Sequence, residues 1–193
     1  MYSIPTSITV DDKIYKIRNR GDYRTVLDCF EVLEDVELEQ KERLLACLMI
    51  FFEDFNELSD LLDCKDLEPL VHEMFVFFSC GDASEAQRQS KKLMDWKQDS
   101  QLICAAVNTV AHMEVRAIEY LHWWTFMGYY MSIGESLYST IISIRDKIVN
   151  GKKLEKYEKE FKSKNPQYFM WNSKSVDQKE AEQWVADIWN SGK

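Results

Sequence analysis

Six glycines and three prolines are spread through 193 residues, and that scarcity constrains the fold more than any motif does. A β-sandwich needs many tight turns, and tight turns draw on glycine and proline. Long stretches rich in Leu, Glu, Lys and Met stand there instead, and these residues favour helix. Hydrophobic residues make up 46% of the chain, enough to bury a sizeable core. The length fits one domain, or one domain with an added terminal helix.

Hydrophobic periodicity fills in this outline. Ser7-Ile8-Thr9-Val10 and Tyr15-Lys16-Ile17 alternate apolar and polar around Asp11-Asp12-Lys13, which predicts a short β-hairpin. Asp22 is placed to cap a helix carrying Tyr23, Val26, Leu27, Phe30 and Leu33 at helical spacing. A second helix starts near Glu39 and presents Leu44, Leu48, Met49, Phe52 and Phe55. A third carries Leu67, Leu70, Val71, Met74 and Phe78 and stops at Gly81. Trp96 leads into a helix with Ile103, Ala106 and Val107, and an aromatic helix follows from Met113 to Ser132, ended by Gly134. Leu137 to Gly151 continues with helical or mixed periodicity. Lys152 to Lys164 carries i,i+4 pairs such as Glu155–Lys159, the mark of a solvated helix, and Asn165-Pro166 interrupts it. Ser175 with Gln178 fits a capping box for a last helix bearing Ala181, Trp184, Val185 and Ile188. The expected fold is therefore mainly α: one helical domain over 1–164 with an N-terminal β-hairpin, and a C-terminal helical extension over 165–193.

Charge and cysteine usage exclude several function classes. A net charge of −9 works against nucleic-acid binding, which needs lysines and arginines to displace phosphate counterions. It equally disfavours anionic membranes, and no apolar run approaches the roughly 20 residues that span a bilayer. Cys29, Cys47, Cys64, Cys80 and Cys104 are scattered without a C-x-x-C pair. They read as reduced, buried small hydrophobes in a cytoplasmic protein.

No constellation points to chemistry. Glu119-x-x-His122 has the i,i+3 spacing of di-iron helical bundles, but such sites need a second pair on a facing helix, and none exists. Gly151-Lys152-Lys153 lacks the upstream glycine and the Ser/Thr of a phosphate-binding loop. The expectation is a protein with no catalytic residues, no metal and no cofactor. Aromatic side chains remain as the candidates for binding a partner. Ile118 to Tyr130 packs six aromatics and one histidine into an otherwise charged chain. The run has two readings, a central core helix or an exposed surface with Trp and Tyr as hot spots. The candidate partner-binding residues are Trp123, Trp124, Tyr129 and Tyr130, with Trp171, Trp184 and Trp189 in the C-terminal segment.

Several blocks stand in an order that resembles one family. Asp22-Tyr23-Arg24 follows the hairpin, and Phe77-Phe78-Ser79-Cys80-Gly81 ends an aromatic helix. Trp96-Lys97-Gln98-Asp99 precedes Ile103-Cys104-Ala105-Ala106, Tyr120-Leu121-His122-Trp123-Trp124 comes next, and Ile144-Arg145 closes the series. Together they resemble the gene-product-fifteen family of long-tailed bacteriophages over roughly Ile8 to Lys162, while Trp171 onward has no counterpart. The family's genes lie in the tail module, between the major tail protein and the tape-measure gene. The resemblance implies a tail assembly chaperone in the host bacterial cytoplasm, with the phage tape-measure protein and the major tail protein as partners. It implies neither nucleic-acid nor membrane binding. The alternative is a structural tail component, a connector or completion protein retained in the virion.

Overall fold

Asp11 and Asp12 both hold positive φ, 45° and 64°, the conformation of a two-residue type I′ hairpin turn. They join β1 (Ser7–Val10) to β2 (Lys13–Lys16) in an antiparallel pair with Val10 opposite Lys13. The turn is thus one residue shorter than expected, and Lys13 belongs to the second strand. Its alternation puts Ile8, Val10 and Tyr15 inside and leaves Ile14 63% exposed. The computed structural model describes residues 3–56, 67–82 and 91–171. Seven α-helices lie among them, and the chain forms two compact units.

The first unit comprises Met1–Arg88, Glu119–Gly128 and Ser175–Lys193. After β2, Ile17 bridges to Phe52 and the backbone turns at Asn19, Arg20 and Gly21, three consecutive residues with positive φ. Helix α1 (Tyr23–Leu33) follows, with the Asp22 carboxylate accepting the Arg24 N–H as its cap. Helix α2 (Gln40–Phe51) starts at a capping box between Glu39 and Glu42. It ends where the Arg18 guanidinium donates to the carbonyls of Met49, Ile50 and Phe52, groups a helix end otherwise leaves without partners. Helix α3 (Leu67–Phe78) closes in a Schellman motif. Gly81 N–H reaches Val76 O and Cys80 N–H reaches Phe77 O, so Cys80 rather than Gly81 takes the left-handed C′ position. Val26, Cys29, Cys47, Leu48, Phe51, Leu70 and Met74 form the core. The Cys29 thiol contacts Cys47, and that contact together with burial pushes its pKa far up. It is inert packing, as expected; Cys64 lies outside the described residues.

The second unit comprises Gln89–Ile118 and Tyr129–Lys174. Helix α4 (Ser100–Ala111) packs on α6 (Leu137–Val149) through Ile103, Ala106, Val107, Tyr138, Ile141 and Ile144. Ser136 caps α6. Helix α7 (Lys156–Lys164) begins at a capping box of Glu155 and Glu158, so Glu155 serves the backbone rather than pairing with Lys159 as expected. Lys147 on α6 reaches Glu158 at 2.7 Å, and Pro166–Tyr168 forms a single 3-10 turn.

The largest departure from expectation concerns the aromatic helix. Helix α5 spans only Trp123–Met131, and residues 113–122 are not helical. His112 ends α4 in the left-handed region, φ 54°. Asn108 Oδ1 then accepts the Val115 N–H at 2.8 Å and its amide donates to Glu114. Arg116 donates to Glu114 and holds its carboxyl down to about 2. Side chains thus satisfy the local backbone, and the helical ladder has no hold there. Among the described residues no helix is long and apolar enough to cross a membrane.

Candidate interaction site

Three of the distinctive sequence blocks converge in the first unit. Backbone pairing begins it: Tyr23 N–H donates to Leu121 O at 2.9 Å, and Leu121 N–H donates to the Asp22 carboxylate at 2.9 Å. The same carboxylate accepts from the Arg24 side chain at 3.1 Å. Asp22 is thus a single anchor for the start of α1 and for the segment that enters α5. His122 stands just before α5. Its Nδ1 accepts the Trp124 N–H at 3.1 Å, which leaves Nε2 as the protonated nitrogen, donating to Pro5 O at 2.9 Å. This is a neutral imidazole working as a helix cap. Burial lowers its pKa, against the opposing pull of Pro5 O and Asp22.

The tandem tryptophans read the end of α3. Trp123 Nε1–H donates to Phe78 O and Trp124 Nε1–H to Phe77 O, each at 2.9 Å. Tyr23 stacks on Phe126 at 4.6 Å with planes 1° apart, and Phe30 meets Trp123 edge-on at 5.7 Å. Gly21 is needed here for two reasons. Its φ is +78°, and a Cβ would stand 2.8 Å from Phe77 Cζ and 3.0 Å from His122 Nε2.

The remaining blocks converge in the second unit. Asp99 and Arg145 form a bidentate ion pair at 2.6 and 2.9 Å, almost fully buried. Arg145 also donates to Leu93 O and Tyr168 O, and the Trp171 ring covers its guanidinium at 4.5 Å. Gln98 holds the Met170 carbonyl at 2.8 Å. One arginine therefore ties together the approach to α4, helix α6 and the segment after α7. Burial raises the pKa of nearby Asp95, but hydrogen bonds from Gln98, Lys92 and Lys97 outweigh it and hold that carboxyl below its ordinary value.

The family model described as Bacteriophage Gp15 protein matches residues 2–170. The chain belongs to that bacteriophage family. No curated protein and no solved structure matches it. The Gp15 match ends one residue before Trp171, and the two clusters just described draw on every sequence block that pointed to the family except Ile103-Cys104-Ala105-Ala106, which packs α4 on α6.

The candidate partner-binding residues fall in different places. Trp123 is 1% exposed, with Phe30, Phe126 and the Phe78 carbonyl around it, the central-core arrangement of the two readings. Trp124, Tyr129 and Tyr130 are half-buried. Tyr130 packs on Trp96 at 5.3 Å and shares a 2.7 Å hydroxyl hydrogen bond with Tyr138, whose pKa burial and that bond push up. Trp171 is exposed on one face and stacked on Arg145 with the other. Trp184 and Trp189 lie outside the described residues. The suspected Glu119–His122 pair has no helix to stand on: Glu119 is exposed and His122 is buried in its capping role. Among the described residues no group of three or more His, Cys, Asp or Glu is placed to hold a metal. The most exposed apolar side chains are Met131, Met170, Tyr157 and Ile14, each more than 60% exposed. Periodicity gives no sign of their exposure, because an apolar side chain reads the same in the pattern whether or not the fold covers it.

Proposed function

We propose that this Gp15-family protein is a tail assembly chaperone. It binds and solubilises the phage tape-measure protein in the host bacterial cytoplasm while subunits of the major tail protein assemble around it. It has no catalytic role, and neither nucleic acid nor membrane is a partner. The observation that carries this reading is the family match over residues 2–170, taken with the family's place in the tail module beside the tape-measure gene.

The physical requirement is definite. A tape-measure protein is a very long helical chain with apolar seams that aggregate before the tube encloses them. A chaperone must cover those seams and then leave, which favours many weak contacts over one deep pocket. Scattered exposed apolar side chains such as Ile14, Met131, Tyr157 and Met170 suit that mode, and no group of metal-ligating residues competes with it among the described residues.

Co-expression with the tape-measure protein, followed by size exclusion with light scattering, tests the proposal. A soluble co-eluting complex is expected, with the tape-measure protein aggregating when expressed alone. Separate elution, with this protein retained at structural copy number in purified virions, would establish the structural tail component instead.

A further inference from the structure

The two units differ in charge as well as in construction. The first unit holds 25 Asp and Glu against 11 Lys and Arg, whereas the second holds 13 Lys and Arg against 8 Asp and Glu. The acidity of the whole chain hides a basic half.

The basic excess concentrates at α7 and the turn before it. The three glutamates there are already engaged: Glu155 caps the helix, Glu158 takes Lys147, and Glu160 takes Lys164 at 2.8 Å. Lys152 pairs with Asp146 at 3.0 Å. Lys153, Lys156 and Lys159, three residues apart, are exposed and make no ion pair with any described residue. An acidic stretch lies in the first unit. From Asp28 to Glu42, seven Asp and Glu stand against one lysine. Asp28, Glu31 and Glu34 repeat every three residues along α1 and its cap, all exposed. Partial burial, then repulsion from Glu31 and Asp22, raises the Asp28 carboxyl pKa, so this edge gains from a nearby cation.

We propose that the lysine edge of α7 docks on the acidic edge of α1 in a second copy of the chain, so that the protein associates head to tail. Each copy carries both edges, three charges at three-residue intervals in sequence, with Lys156 and Lys159 on α7, Lys153 in the turn before it, and Asp28 and Glu31 on α1. Such a contact is heterologous and therefore propagates or closes into a ring. A duplex phosphate backbone would also meet the lysines, but the same chain would bring its larger acidic excess with it. The second copy is the occupant the charges favour.

Sedimentation velocity over a concentration series tests this at two salt levels. Raising salt from about 0.1 M to about 1 M shortens the Debye length from about 10 Å to about 3 Å. The average mass should rise with concentration in the low salt, and association should weaken about tenfold or more in the high salt. The variants K153E/K156E/K159E and E31K/E34K should each be monomeric with unchanged circular dichroism, and mixing them should restore a complex. A wild-type protein that stays monomeric throughout in low salt would overturn the proposal. Association that survives the lysine reversal would overturn it too. Monomers that bind a fluorescent DNA duplex, and lose it on lysine reversal, would assign that edge to phosphate instead.

Discussion

The two clusters that hold the family's sequence blocks reach the same end by opposite physics. In the first unit, Asp22, His122, Trp123 and Trp124 are joined by hydrogen bonds to backbone groups and by stacked rings, and the histidine is neutral. In the second, a buried guanidinium and carboxylate satisfy one another, and the arginine's remaining donors go to carbonyls. The first network does hold one ion pair, Asp22 with Arg24. The Asp22 carboxylate also accepts from two backbone N–H groups and the other links run to backbone groups, so the network degrades by degrees when one member is lost. A buried ion pair does not, because removing one charge strands the other.

Mutations that break this contrast rank clearly. Arg145→Ala leaves Asp99 charged and buried and deprives Leu93 O and Tyr168 O of their donor, so unfolding free energy should fall by about 3–5 kcal/mol. Urea denaturation measures it. A loss no larger than that of a surface substitution would mean that water reaches the pair. Gly21→Ala comes next. The positive φ costs about 1–2 kcal/mol for a residue with a Cβ, and Phe77 and His122 must shift as well. A melting curve identical to wild type would show that the turn relaxes freely.

Protonation of His122 is the mildest of the three. Its pKa is lowered on folding from the ordinary 6.5, so the folded state disfavours the proton. Its contribution is therefore fully present above the unfolded value and is lost as pH falls through 6.5 towards the folded value. Protonated Nδ1 cannot accept the Trp124 N–H. Wild-type denaturation midpoints should drop across that window, and His122→Asn should lack that drop. Equal drops in both proteins would place the titrating group elsewhere.

The regular elements were legible in the sequence because their causes are local. Alternation marked the hairpin, apolar spacing marked α1 to α3, and Asp22 was recognisable as a cap before its contacts were known. What stayed hidden depends on partners far along the chain. Residues 113–122 look helical by composition, yet Asn108 and Asp22 claim their backbone N–H groups. Trp123 reads as core or as hot spot until Phe78 O takes its N–H. The Arg145–Asp99 pair spans 46 residues, a distance over which no periodicity speaks. Candidate surface residues were the least legible, since exposure is decided by what the fold leaves uncovered.

The tryptophan contacts to Phe77 O and Phe78 O carry a consequence for how this family can vary. Both indoles grip main-chain carbonyls, so what they sense is the position at which α3 stops, whatever side chains stand there. Deleting or inserting one residue between Leu67 and Phe78 would rotate that terminus by about 100° and shift it by about 1.5 Å. Both carbonyls would then leave the reach of their donors. Substitutions along the solvent side of α3 are neutral to this gauge, whereas a change in its register is not, and length polymorphism should be rarer there than in the neighbouring connections.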